Sequence, residues 1–148
     1  MVTIYVDADA CPVKEEVLRV AYRHDLEVYI VSNGWWRQDL GPKIHRIMVE
    51  ASPDSADNWI VEHIGEGDIA VTADILLADR CLKMKATAIN PNGKPFTEAN
   101  IGVAVAMRSL SAHLRETGEI AGHNPSFSKQ DRSRFLEILE NTVQKCRT

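Results

Sequence analysis

Apolar and polar positions along this chain fall into two alternating rhythms. Residues 2–6 form a short β-branched apolar run that ends at Asp7, the pattern of a buried strand. Pro12 suits a first helical turn, and Val13, Val17, Val20, Ala21 and His24 follow at helical spacing. Residues 27–31 read as a second strand closed by Ser32-Asn33-Gly34, and residues 35–43 as a loop broken by Gly41-Pro42. Residues 44–49 alternate as a third strand. Ser52-Pro53 then opens a helix in which Ala56, Trp59, Ile60, His63 and Ile64 share a face, with Gly65 and Gly67 ending it. Residues 68–71 make a fourth strand, a Leu-rich helix runs to about Met84, and residues 86–89 make a fifth strand before the turn Asn90-Pro91-Asn92-Gly93. Two helical stripes finish the chain: Val103, Met107, Leu110 and Leu114, then Phe135, Ile138, Leu139 and Val143. Ser128 and Asp131 are placed as a capping box for the second.

Strands that alternate with helices imply a parallel sheet with helices on both faces. The expected fold is a three-layer α/β/α domain with a mostly parallel five-stranded sheet and additional C-terminal helices, spanning 1–148 as one domain. The 148 residues, 45% hydrophobic and 26% charged, fit an ordinary globular chain. Ligands of such sheets bind beyond the carboxyl ends of the strands, and this rule turns the sequence into a map. Strand one ends at Asp7-Ala8-Asp9, strand two at Ser32-Asn33, strand three just before Asp54 and Asp57, and strand four at Thr72-Ala73-Asp74. All these acids fall on one edge, whereas Asp68, which precedes its strand, belongs to the other edge as a structural residue.

Carboxylates brought together repel one another unless a cation neutralises them. Hard oxygen donors select Mg²⁺ or Mn²⁺ over zinc, and such ions activate water and stabilise charge on a phosphoryl group. Asp7, Asp57 and Asp74 are therefore the candidate catalytic residues, with Asp9 and Asp54 as further candidate metal ligands. Taken singly, each Asp also suits a turn or a helix cap. Ser32 and Asn33 are candidate phosphate contacts. Lys129 and Arg132, at a helix start, are candidate contacts to a nucleic-acid backbone. Trp35 and Trp36 suit base stacking, core packing or a homodimer contact. The net charge of -4 excludes a protein coated in basic charge, so any RNA contact needs a local positive patch. Cys11, Cys81 and Cys146 are widely spaced and form neither a zinc nor a disulfide pattern; Cys11 reads as a packed thiol. The N-terminal residues lack a signal-peptide pattern and no apolar run would span a bilayer, so the expected location is the cytoplasm, without membrane contact.

The strings 6–13 (VDADACPV), 31–33 (VSN), 53–57 (PDSAD), 72–75 (TADI) and 127–132 (FSKQDR) together resemble the YaiI/YqxD family, in order and over nearly the whole chain. The chain departs from that pattern at Leu76, where the family leads one to expect proline, and at 123–126, where a more Pro-rich stretch is usual. The pattern is similar in turn to PIN-like nucleases. That resemblance implies a PIN-like fold and assigns the strand-end acid to Asp7, the helical acid to Asp57 and the acid after a Ser/Thr-x strand end to Asp74. PIN-like enzymes often carry a further acid two residues on; Leu76 stands there, and Asp79, one turn later, is the candidate substitute ligand. The leading expectation is a metal-dependent nuclease acting on RNA. A second likeness, to the haloacid dehalogenase class of Mg²⁺-dependent phosphatases, makes Asp7 the nucleophile, Asp9 the acid/base, Ser32 a phosphate contact and Asp74 and Asp79 the metal ligands, although Cys11 breaks its DxDx[TV] pattern. A third expectation is a non-catalytic RNA-binding module on a degenerate nuclease fold.

Overall fold

The computed structural model describes residues 2–8, 13–32, 41–50, 55–103, 106–107 and 129–147. Its elements run β1 (Thr3–Asp7), α1 (Lys14–His24), β2 (Glu27–Ser32), β3 (Ile44–Met48), α2 (Ser55–His63), β4 (Ile69–Val71), α3 (Ile75–Lys83), β5 (Thr87–Ile89), β6 (Pro95–Phe96) and α4 (Lys129–Arg147). They build a mixed α/β fold around a sheet of order β3-β2-β1-β4-β5-β6. The first five strands in this order are parallel and β6 pairs antiparallel with β5. The sixth strand adds to the five expected. Its two residues are too few for periodicity to register, and Pro95 can join a ladder only at an edge, where its missing N–H is not needed.

Side chains alternate across the central strands and so build two cores. On one face Ile4 and Val6 of β1, Val28 and Ile30 of β2, and Ile69 and Val71 of β4 pack under α1, through Val17, Val20 and Ala21, and under α4, through Phe135, Leu139 and Val143. The three α4 residues are fully buried at the 3.6-residue rhythm of the sequence. On the other face Tyr5, Val31 and Ala70 pack under Ala56 and Ile60 of α2 and Leu77 and Cys81 of α3. Rings thicken this second core: Tyr5 stacks on Tyr29 at 5.3 Å, Tyr29 on His45 at 4.6 Å and Trp59 on His63 at 3.9 Å. The Tyr5 hydroxyl donates to the His63 carbonyl at 3.1 Å. Burial, then the Asp68 charge, pushes this phenol up to about 12.

Local signals set the boundaries. Helix α1 ends at Asp25, which takes a left-handed conformation (φ 56°) and is ion-paired with Lys43 at 2.9 Å. Asp68, on the amino edge, accepts from the Thr3 amide at 3.3 Å and the Gly65 amide at 3.0 Å, the structural role expected of it. Residues 98–103 are helical and start from a reciprocal cap: Thr97 Oγ1 accepts from the Asn100 amide, and Asn100 Oδ1 accepts from the Thr97 amide. The turn into β6 holds Gly93 at φ 91°, and a Cβ there would lie 2.6 Å from Arg134 Cγ and 2.8 Å from the Phe135 nitrogen. The start of α4 therefore rests directly on this turn at the carboxyl edge of β5.

Candidate active site

The strand order makes the site. From β1 the chain steps outward through β2 and β3, then returns to place β4 and β5 on the other side of β1. The junction of β1 and β4 is thus the point where strand order reverses, and a crevice opens beyond the carboxyl ends of two such strands. Asp7 closes β1 and Thr72-Ala73-Asp74 follows β4, so both acids sit at that junction.

Thr72 links them. Its side chain is fully buried, and its hydroxyl donates to Asp7 Oδ2 at 3.0 Å while accepting from the Asp74 amide at 2.9 Å. Asp74 is in turn the N-cap of α3, its Oδ1 accepting from the Leu76 and Leu77 amides at 2.9 and 3.4 Å. The capping and functional roles foreseen for an Asp at this position are compatible, because a cap needs only one of two carboxylate oxygens.

Asp57 arrives from α2. It is half-buried in the first helical turn, close enough to Asp74 and Asp7 to feel the charge of both. Burial, then the neighbouring charges of Asp74 and Asp7, push Asp57 up to about 6; the Arg80 guanidinium opposes this. A helix N-terminus ordinarily favours the ionised form. That the carboxyl is nonetheless raised shows that burial, with the neighbouring negative charge behind it, outweighs the helix terminus. Above its pKa this pocket carries charge that one arginine only partly offsets.

The remaining candidates divide clearly. Ser32 is buried at the end of β2, on the same edge as Asp7 and one strand over. Asp79 lies on α3 and pairs with Lys83 on its own helix at 3.1 Å. Lys129 is exposed at the start of α4, and Arg132 reaches Glu16, in the first turn of α1, at 3.3 Å. The basic end of α4 accordingly flanks the same edge as the acids. Leu76 is 49% exposed beside the Asp74 cap. Asp9, Asn33 and Asp54, together with Cys11, Trp35, Trp36 and Ser128, lie outside the described residues. Among the described residues, no three histidine, cysteine, aspartate or glutamate side chains stand grouped as a ready-made metal site. Two contributors escaped the pattern reading, Asn58 and Arg80, whose side chains meet at 3.1 Å between α2 and α3. The one signal for Asn58 is its place next to Asp57. Cys81 is a core thiol, pushed up to about 12 by burial, which removes it from nucleophilic chemistry at neutral pH. No helix among the described residues is long and apolar enough to cross a membrane.

Residues 5–145 match the family described as "Uncharacterized BCR, YaiI/YqxD family". A UPF0178 protein of Parvibaculum lavamentivorans is 54% identical over 147 residues, covering 99% of this chain and 97% of the relative. A UPF0178 protein of Rhizobium etli is 53% identical over 145 residues, covering 98% of this chain and 94% of the relative. One from Rhodopseudomonas palustris is 54% identical over 142 residues, covering 96% and 90%. No solved structure matches the chain. By the extent of the first match and the identity of these relatives, the chain belongs to the YaiI/YqxD family.

Proposed function

We propose that this protein is a metal-dependent nuclease that hydrolyses phosphodiester bonds in RNA at the edge formed by Asp7, Asp57 and Asp74. One observation carries the reading: Thr72 joins Asp7 to the Asp74 backbone at the strand-order reversal, and Asp57 of α2 stands near enough to feel both charges and is raised to about 6. The donor set, oxygen throughout and with excess negative charge, fits a hard divalent ion such as Mg²⁺ or Mn²⁺. Asp7, Asp57 and Asp74 would hold it, with Asp9 and Asp54 as further ligands from the adjoining segments. Asp79, engaged by Lys83, would join only by giving up that pair. When bound, the ion supplies an activated water and stabilises charge on the phosphoryl oxygens.

The chain's own residues do the rest. Thr72 fixes the Asp7 carboxylate through its hydroxyl, and the α3 amides fix Asp74. Ser32 on the edge, with Lys129 and Arg132 at the flanking end of α4, would contact the backbone of an RNA strand.

Cleavage of a labelled single-stranded RNA in Mn²⁺ tests the reading. Activity should vanish in EDTA and fall at least about a hundredfold in Asp7→Asn and Asp74→Asn. Turnover that both variants retain would reject it. A phosphoaspartate trapped on Asp7, or inhibition by beryllium fluoride, would move the chemistry to the phosphatase class. A second reading, a non-catalytic RNA-binding module, draws support from exposed Leu76 and from the lack of a ready-made metal group among the described residues. RNA binding that persists in EDTA, with no turnover in any metal, would select it.

A further inference from the structure

The cation nearest this site in effect is not among the candidate phosphate contacts named from the sequence. Arg80 lies on α3 and donates from one terminal nitrogen to Asn58 Oδ1 at 3.1 Å; Asn58 is the α2 residue that follows Asp57. Three features set it apart. Its hydrogen-bond partner is neutral, whereas Lys83, Arg132 and Arg134 pair with Asp79, Glu16 and Asp131. Among the described residues, no carboxylate comes within ion-pair distance of Arg80, although its charge is felt at Asp57. And a guanidinium has five donors, of which the bond to Asn58 uses one.

An arginine beside clustered acids ordinarily closes onto one of them. Asn58 instead tethers this one at the border of the cluster, with its remaining donors uncommitted to any described carboxylate. A planar fork of that kind matches two oxygens of a phosphate. We propose that Arg80, positioned by Asn58, binds the scissile phosphodiester of a nucleic-acid strand as it meets the acid edge. The assignment rests on the nuclease reading and adds the residue that holds the substrate anion. A simple helix-to-helix pin makes a different forecast, because loss of a pin lowers stability and leaves substrate affinity alone.

Steady-state cleavage of single-stranded RNA at fixed Mn²⁺ separates the two, using wild type, Arg80→Lys, Arg80→Ala and Asn58→Ala, with Arg23→Gln as a charge-matched control remote from the edge. Arg80→Ala should raise KM about tenfold or more, the worth of a charged hydrogen bond, with kcat changed less. Arg80→Lys should fall between, since it keeps charge without the fork, and Asn58→Ala should give a smaller rise. The thermal shift produced by Mn²⁺ alone should not fall in Arg80→Ala, because Arg80 is not a ligand and its charge opposes a cation at Asp57. An unchanged KM in Arg80→Ala, or an equal rise in Arg23→Gln, overturns the assignment and leaves the nuclease reading standing. A wild-type protein that cleaves nothing overturns both.

Discussion

Exchanging Asp57 for asparagine removes one negative charge from the acid edge while keeping the side chain's shape. In the folded chain this carboxyl titrates at about 6 against an ordinary 3.8. At about 1.36 kcal/mol per pH unit, holding it ionised costs the folded state at most about 3 kcal/mol. Asp57 is only half-buried, and solvent screening reduces this to about 1–2 kcal/mol. The sign follows from linkage. A carboxyl raised on folding contributes its stability in full below 3.8 and loses it as pH rises through about 6. Metal-free Asp57→Asn should therefore be more stable than wild type at pH 7.5, by about 3–6 °C in Tm for a chain of this size. The gap should shrink steadily as pH falls toward 3.8. Circular-dichroism melts in EDTA from pH 4 to 8 measure it, and added Mn²⁺ should narrow the gap by favouring wild type. A variant that melts below wild type at pH 7.5, or a gap that ignores pH, would refute the charge-crowding account of the site.

Two other substitutions probe the framework. Thr72→Val removes a buried hydroxyl that serves both Asp7 and the Asp74 amide and should cost about 1–3 kcal/mol in urea unfolding; cleavage should fall with it, because Asp7 loses its anchor. Gly93→Ala forces a Cβ to within 2.6–2.8 Å of Arg134 and Phe135 at a φ of 91° and should destabilise by about 2 kcal/mol or more, with faster amide exchange at the start of α4.

The fold was legible because its strands are short apolar runs with acids or turn formers at their ends, as in 2–7 and 69–74. The β3 rhythm reads correctly from 45 onward, with Arg46 and Met48 exposed and Ile47 and Val49 packed on the second core, while Ile44 is buried on the otherwise exposed face. Asp7 and Asp74 could be placed on one edge from the strand boundaries alone. Their shared dependence on Thr72 could not, since that bond spans 65 positions and depends on β1 and β4 being neighbours. The Asn58–Arg80 contact is illegible for the same reason: neither residue breaks its local helical pattern, and only the packing of α2 on α3 brings them together. Asp79 shows the opposite case, where a position that suits the site by spacing is claimed by Lys83 four residues on.

The placement of α4 carries a consequence for how the chain acquires its structure. Phe135, Leu139 and Val143 seal Ile4, Val6, Ile69 and Val71, strands made long before them on the ribosome. Until those three side chains emerge, α1 alone covers this face of the nascent β-layer, and adhesive strands in that condition invite misassociation or chaperone capture.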